Sequence, residues 1–186
     1  MQTDEELMRA YKAGDETALR DLYERYQPLL VRVLGRDLDQ VSEAQDLVQL
    51  TFLQLHRARN DFREGSKLRP WLMTIALNLK RQHFRRRRRR PVEDTSPGLA
   101  ESTASRATQE ALTDATSLRS ALRSLRSKER TVMILYWFEG FTFPEISEIV
   151  GAKVSAVKVR AHRGKQHLRE ILGTDVTETA IRHSHK

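Results

Sequence analysis

The spacing of apolar residues is the feature that most constrains how this chain can fold. Apolar side chains recur at intervals of three and four along each hydrophobic segment, and no segment alternates between apolar and polar residues. Such intervals place side chains on one face of an α-helix, whereas a half-buried β-strand needs alternation. The longest series is Ala18, Leu22, Tyr26, Leu29, Leu30 and Val33. The sequence therefore predicts an all-α fold.

Capping residues indicate where the helices begin. A capping box pairs Ser or Thr with Glu or Gln three residues later, so that each side chain accepts from the other residue's backbone N–H. Three such pairs occur: Thr3 with Glu6, Ser42 with Gln45, and Thr142 with Glu145. Together with the apolar series, they predict helices that start near residues 4, 15, 42, 70, 110, 127, 143 and 155.

Three of these helices carry specific predictions about the core. For the helix that opens at Pro70, we expect an inward face of Trp71, Leu72, Ile75, Ala76 and Leu79. For the helix from residue 127, we expect Val132, Leu135 and Phe138 to point inward. For the last helix, residues 155–172, we expect Val157, Ala161, Leu168, Ile171 and Leu172.

The charge of the chain is divided into blocks. The net charge is +8 over 186 residues. Residues 1–90 hold nineteen Lys and Arg against thirteen Asp and Glu, residues 91–116 hold one against five, and residues 117–173 hold eleven against five. The middle block is also rich in Ser, Thr, Pro and Gly, as linkers are. We therefore predict two small helical domains, 1–90 and 117–173, a flexible acidic linker, 91–116, and a tail, 174–186, of unassigned role.

The composition excludes several classes of protein. No cysteine is present, which excludes disulfides and cysteine-ligated metals. No apolar run is long enough to insert into a membrane, and the acidic N-terminus is unlike a signal peptide, so we expect a cytoplasmic protein. We also find no convergent set of catalytic groups. We predict no enzymatic activity, no cofactor and no metal. The alternative to the absence of a metal is that His183 and His185 in the polar tail bind one.

The C-terminal block has the dimensions of a helix-turn-helix. A short segment from Pro144 is followed by Gly-Ala-Lys at 151–153 and then by a longer helix. Cations on the first turns of that helix suit contacts with phosphates and guanine edges in a DNA groove. The alternative is an αα-hairpin with a charged surface.

Six consecutive arginines, residues 85–90, end the first basic block. Arginines gain affinity for a polyanion by releasing its counterions, so this run indicates a nucleic-acid partner. The alternative is a solvated basic surface.

Several segments, in order, resemble one bacterial family. Residues 14–18 (GDETA), 22–26 (LYERY), 46–52 (DLVQLTF) and 71–78 (WLMTIALN) resemble sigma domain two. Residues 124–130 (SLRSKER), 139–146 (EGFTFPEI) and 157–164 (VKVRAHRG) resemble sigma domain four. The chain is thus similar to the two-domain, extracytoplasmic-function (ECF) RNA polymerase sigma factors of the sigma-70 superfamily. This resemblance implies binding to core RNA polymerase and promoter-specific initiation of transcription.

The resemblance assigns candidate residues to the polymerase. Asp46, Gln49, Thr51 and Phe52 match the positions that bind the coiled coil of the largest subunit. The flap region of polymerase is implied as a second contact, and an anti-sigma factor stays open as a partner. Leu47 and Val48 are expected to pack in the core. Leu50 departs from the family, which usually carries an acidic residue there.

The resemblance also assigns residues to promoter DNA. For the minus-ten element, Phe62 in the loop 60–67 and Asn78 would line a pocket for an unstacked base, which can stack on an aromatic ring. Trp71 is expected in the core. The implied phosphate contacts are Lys80, Arg81, Arg85 and Arg86.

For the minus-thirty-five element, the matching positions lie on the last helix. They are Ser155, Lys158, Val159, Arg160, His162 and Arg163. Arg160 is expected on a phosphate, and His162 can equally be a surface imidazole without a role. Ser155-Ala156 replaces the usual Gly-Thr, and Ser155 can supply the missing hydroxyl. The rival function is a one-component helix-turn-helix regulator, whose first half would sense a ligand.

Overall fold

The computed structural model describes residues 2–38, 40–89 and 109–173, with backbone alone at 109–116. All regular elements in these ranges are helical, as the apolar spacing predicts. The chain divides into two compact units, residues 1–95 and 96–186, which are described separately below. The residues predicted as linker from 91 to 108, and the tail from 174, lie outside the described ranges.

The described residues of the first unit form four helices. They are α1 (Asp4–Lys12), α2 (Glu16–Gly35), α3 (Val41–Arg57) and α4 (Leu68–Arg89), with a 3-10 turn at Arg59–Asp61. Helix α2 packs against α1 and α3, and α4 packs across α3, α2 and α1. Leucines and other apolar side chains from all four helices form one core.

In the second unit, the described stretch from 109 to 173 also forms four helices. They are α5 (Gln109–Ser124), α6 (Ser127–Met133), α7 (Phe143–Val150) and α8 (Val154–Leu172). A π-helical turn, Ile134–Phe138, continues α6. Helix α8 packs against α5, α6 and α7, so it is the central element of this unit.

Two of the three predicted capping boxes are confirmed. In α1, the Thr3 N–H donates to Glu6 Oε2 at 2.7 Å and the Glu6 N–H donates to Thr3 Oγ1 at 3.2 Å. The Thr3 N–H bond lowers the pKa of the Glu6 carboxyl by stabilising its charge. In α7, the Thr142 N–H donates to Glu145 Oε2 at 2.9 Å.

The third capping box is wrong. Helix α3 begins at Val41, and Gln40 occupies the N-cap position without a side-chain cap. Ser42 is therefore already inside the first turn, where its hydroxyl bonds to Gln40 Oε1 at 3.3 Å.

The predicted inward face of α4 is partly wrong. Leu72 and Ala76 are buried as expected, but Met73 and Leu77 accompany them. Trp71, Ile75 and Leu79 are only half-buried. Because α4 packs against three helices, its inward face is broader than a simple series predicts, and it is centred one residue later along the chain.

The second unit shows similar shifts of register. The π-helical turn winds more widely than an α-helix, which buries Trp137 and leaves Phe138 half-buried. In α8, Ile171 is exposed, contrary to expectation, and Leu172 is half-buried in the last turn. Val157, Ala161 and Leu168 are buried as predicted.

Helix α8 lies unusually close to α6 at Gly164. A Cβ atom at this position would lie 2.7 Å from Cγ of Met133, which is fully buried. We therefore expect Gly164→Ala to lower the free energy of unfolding of the second unit by about 1–2 kcal/mol, even after the better helix propensity of alanine is included. The measurement is urea unfolding followed by Trp137 fluorescence in a Trp71→Phe background, since the chain has two tryptophans.

Gly35→Ala is the control for this prediction, and because Gly35 lies in the first unit, its unfolding is followed by Trp71 fluorescence in a Trp137→Phe background. A Cβ at Gly35 would meet Cβ of Ala44 at 3.5 Å, an ordinary contact. We expect this variant to be neutral or slightly stabilised. Equal stability of Gly164→Ala and the wild-type chain would show that Met133 adapts to the added methyl group.

Candidate nucleic-acid and partner interfaces

The outward face of α3 carries polar and apolar side chains together. Asp46 and Gln49 are exposed, one helical turn apart. Leu50 and Leu53 are 46% and 44% exposed and lie on the same face, because they follow at helical spacing. We call these four residues the α3 face. A helix surface with exposed leucines beside a carboxylate and an amide suits docking onto another protein.

Two residues assigned to the polymerase are not on the α3 face, which corrects the sequence prediction. Thr51 is fully buried, and its hydroxyl donates to the Leu47 carbonyl at 2.6 Å. Phe52 is buried too, with its ring 4.9 Å from that of Tyr23. Both side chains are enclosed because their positions on α3 point towards α2 and α4.

Leu53 and Tyr23 were missed by the sequence analysis. Leu53 lies four residues after Gln49, and this helical spacing alone places it beside Asp46 and Gln49. Tyr23 is 38% exposed and covers the outer side of Phe52. The sequence around Tyr23 does not indicate this position, because it depends on how α2 packs against α3.

Phe62 occupies a different environment from the one predicted. Its side chain is only 6% exposed, and its ring centroid lies 5.2 Å from that of Trp71. The ring of Phe62 is therefore not open to a base. Trp71, expected in the core, is half-buried and presents the more accessible ring of the pair.

A row of functional groups continues from Trp71 along α4. Asn78 and Gln82 are exposed, and their spacing places them on the Trp71 face of the helix. Arg81 donates to Asn78 Oδ1 at 2.7 Å, which leaves the Asn78 amide N–H groups as donors. We call Trp71, Asn78, Arg81, Gln82 and Arg85 the α4 row. Gln82 was missed, although it follows Asn78 by one turn.

Lys80 does not fulfil its predicted role as a phosphate contact. Its ammonium lies 2.6 Å from the Asp37 carboxylate and donates to the Val33 carbonyl at 3.2 Å. The side chain is buried between α2 and α4. Lys80 therefore fastens two helices together, and its charge is already neutralised.

The arginine run forms the end of α4. Arg85 to Arg89 are all exposed and helical, and Arg90 lies outside the described residues. Successive residues of a helix are rotated by about 100°, so five in a row surround it with positive charge. Arg87 also lies 3.9 Å from Glu43. This arrangement offers phosphate contacts in several directions without distinguishing bases.

In the second unit, α7 and α8 form the predicted helix-turn-helix. Gly151 ends α7 with a φ of 63°, a conformation that glycine adopts without strain. Along α8, Ser155, Lys158, Val159, His162 and Arg163 are all exposed, whereas Arg160 is half-buried. Val159, 47% exposed, offers an apolar contact between the cations. The outward face thus combines groups for phosphates and for base edges.

Other kinds of site are not found in the described part of the chain. Residues 2–38, 40–89 and 109–173 contain no group of three or more His, Asp or Glu side chains arranged to hold a metal. His183 and His185 lie outside these ranges. None of the helices described above has the length and apolar composition needed to cross a membrane.

Comparison with known proteins decides the family. The family model for sigma-70 region 2 matches residues 22–90, and that for sigma-70 region 4 matches residues 115–168. The chain belongs to the ECF sigma factors of the sigma-70 family. It is 34% identical to the RNA polymerase sigma factor CarQ of Myxococcus xanthus, over 93% of this chain and 99% of that protein. It is 36% identical to the ECF sigma factor EcfG of Rhodopseudomonas palustris, over 73% and 74% of the two chains.

Solved structures of sigma factors share the fold. CnrH, in complex with the cytosolic domain of CnrY, matches with a TM-score of 0.70 and 25% identity, over 91% of this chain and 96% of that chain. RpoE of Bartonella quintana, in complex with the anti-sigma factor NepR, matches with a TM-score of 0.65 and 25% identity, over 84% and 99%. As a sigma factor, the chain binds core RNA polymerase and promoter DNA and directs transcription initiation.

Proposed function

We propose that this ECF sigma factor divides promoter recognition between its two helical domains. Residues 1–90 dock on the polymerase and act on the minus-ten element, and residues 117–173 read the minus-thirty-five element. Residues 91–116 link the domains. This division is supported by the exposed side chains of each helix: α3 carries exposed leucines beside a carboxylate and an amide, whereas α4 and α8 each carry exposed cations.

For the polymerase, the α3 face is the proposed contact. Asp46 and Gln49 supply hydrogen bonds, and Leu50 and Leu53 supply apolar area. Exposed leucines give a helix partner a surface that excludes water around the polar contacts. The substitution of Leu50 for the family's usual acidic residue makes this face more apolar. Thr51 and Phe52 are buried on the opposite side of α3, where their packing holds the helix in position.

For the minus-ten element, the α4 row is the proposed contact. The Asn78 amide donates to the edge of an unstacked base, and the accessible ring of Trp71 offers stacking. Phe62 supports Trp71 from within the domain. Arg81, Arg85 and Arg86 bind phosphates, which favours the melted strand during promoter opening.

For the minus-thirty-five element, the outward face of α8 is the proposed contact. Lys158, Val159, His162 and Arg163 reach base edges, and Ser155 contacts a phosphate near the start of the helix. Arg160, which is half-buried, lies to the side of this face and binds a phosphate. In this account, the sigma factor has no catalytic activity of its own, and it acts where polymerase acts, in the cytoplasm.

An anti-sigma factor is also proposed as a partner. One structural neighbour, RpoE, was solved with the anti-sigma factor NepR, and another, CnrH, was solved with the cytosolic domain of CnrY. Exposed apolar residues at Tyr23, Leu50 and Leu53 offer this chain a surface for a similar interaction. An anti-sigma factor that covers the α3 face would compete directly with core polymerase.

The experiment that tests the minus-ten assignment is transcription by the holoenzyme from a library randomised in that element. Asn78→Ala is expected to relax the base preference at one position by about five- to tenfold, since it removes one hydrogen bond to a base. Gln45→Ala, an exposed amide on α3, is the control. An unchanged preference in Asn78→Ala would contradict the assignment.

The arginine run is expected to contribute affinity without sequence preference. Replacing Arg88 and Arg89 with glutamine should flatten the dependence of log K on log salt by about 0.7–0.9 for each phosphate that is no longer neutralised. The measurement is fluorescence anisotropy of promoter DNA with holoenzyme over a series of KCl concentrations. Arg20→Gln, exposed on α2, is the control. A changed base preference with an unchanged slope would contradict this prediction.

A further inference from the structure

Helix α1 lies outside the region matched by the family model, which begins at residue 22, yet it contacts the loop before α4 at both ends. From these contacts, we infer that α1 is a positioning element for minus-ten recognition, with Glu5 and Lys12 as the positioning residues. The inference rests on the proposed role of the α4 row. It assigns part of the promoter specificity to residues that do not touch DNA.

The contacts begin with the spacing of residues in α1. Glu5, Arg9 and Lys12 recur at intervals of four and three, so they share one side of the helix. The adjoining side, with Leu7, Met8 and Tyr11, is buried in the core. One helix therefore anchors itself through apolar packing and presents charged groups to the loop.

Lys12 holds the first half of the loop. Its ammonium donates to the Phe62 carbonyl at 3.0 Å, across fifty residues of sequence. The Phe62 side chain is buried against Trp71. Fixing the backbone of Phe62 therefore fixes the ring that supports Trp71, the aromatic member of the α4 row.

Glu5 holds the other end. The Leu68 N–H, in the first turn of α4, donates to Glu5 Oε1 at 3.0 Å. The first N–H groups of a helix have no partner within the helix, and a carboxylate there also interacts favourably with the helix dipole. Glu5 thus acts as a cap supplied by another helix. It sets where α4 begins, and hence where Asn78 lies.

Helix α1 is itself firmly held. The Tyr11 hydroxyl lies 2.5 Å from Nδ1 of His56 in α3. Asp4 bonds to both Arg25 and Tyr26 in α2. Burial raises the pKa of Tyr26, and the bond to Asp4 raises it further, so its hydroxyl stays protonated as a donor. Because α1 is fixed at several points, it can hold the loop in one position.

The third charged residue supplies a matched control. Arg9 lies on the same side of α1 and pairs with Glu64 of the loop at 3.8 Å, but both side chains are largely exposed. An exposed ion pair of this kind contributes little to structure. Arg9→Met therefore removes a charge from α1 without releasing the loop.

The test compares holoenzymes carrying single variants on a library randomised in the minus-ten element, at one salt concentration. Lys12→Met keeps the aliphatic stem but removes the donor, and Glu5→Leu removes the acceptor at the other end of the loop. We expect each to weaken minus-ten base discrimination by about fivefold, the effect of one ordinary hydrogen bond. Lys12→Arg keeps the donor and Glu5→Gln keeps the acceptor, so both variants should retain the wild-type base discrimination. Arg9→Met should retain it too.

Core-polymerase affinity and minus-thirty-five preference are measured in parallel and should not change. If Lys12→Met and Glu5→Leu only lower the unfolding temperature, or scale all promoters equally, the positioning role is overturned and α1 is a structural support. If Asn78→Ala changes the minus-ten preference while neither α1 variant does, only this inference fails. If Asn78→Ala also leaves the preference unchanged, the α4 row assignment fails with it.

Discussion

Replacing Asp46 and Gln49 together with alanine should weaken binding to core RNA polymerase by roughly 30-fold or more. The two side chains are exposed on the α3 face, where a partner helix would remove them from water. Truncating a charged hydrogen-bonding group costs about 1.5–3 kcal/mol and a neutral one about 0.5–1.5 kcal/mol. Because about 1.4 kcal/mol corresponds to tenfold in affinity, the two losses together give the expected change.

The fold should be unaffected by this double substitution, since neither side chain contributes to the core. Affinity is measured by titrating labelled sigma factor with core polymerase, and stability by thermal unfolding. Gln54→Ala is the matched control, because Gln54 is exposed on the same helix but lies well to the side of Gln49. Equal affinities of the double variant and the wild-type chain would remove the α3 face from the polymerase interface.

Arg163→Ala should relax base preference in the minus-thirty-five element. Arg163 is exposed one turn after Val159, on the outward face of α8. An arginine bidentate to guanine contributes about 1–3 kcal/mol of discrimination, which corresponds to about five- to 150-fold between bases. The measurement is transcription from a library randomised in the upstream element at fixed salt.

Arg160→Ala is the internal control for this prediction. Its half-buried side chain is assigned to a phosphate, so its removal should lower affinity evenly across sequences. A change that only scales the signal in Arg163→Ala would remove its base-reading role. A shifted preference in Arg160→Ala would mean that α8 enters the groove at a different angle, with the roles of the two arginines exchanged.

The helical fold could be predicted from the sequence because its signals are local. The intervals of three and four, and the boxes at Thr3 and Thr142, act within one or two turns of helix. The errors arise where packing between helices decides. The inward face of α4 is set by three neighbouring helices, and the π-helical turn after Met133 moves Trp137 inward. No pattern within the segment itself indicates either feature.

The candidate site residues also divide into those placed by local sequence signals and those placed by packing between distant parts of the chain. Asp46, Asn78, Lys158 and Arg163 lie on exposed helix faces, where family position and helical spacing agree. Lys80 was misassigned because its partner, Asp37, lies on another part of the chain. Phe62 was misassigned because a loop position suggests exposure, whereas its ring is buried against Trp71 of α4 and its carbonyl accepts from Lys12 of α1. Both errors depend on contacts between residues distant in sequence.

The most direct test of the account is run-off transcription with purified core polymerase and this sigma factor, on templates that carry a library of paired promoter elements. We expect transcripts that depend on both elements, with Asn78→Ala altering only the downstream preference and Arg163→Ala only the upstream one. The division of promoter recognition between the two domains would be contradicted if each variant altered the preference in both elements. It would also be contradicted if neither variant altered any preference.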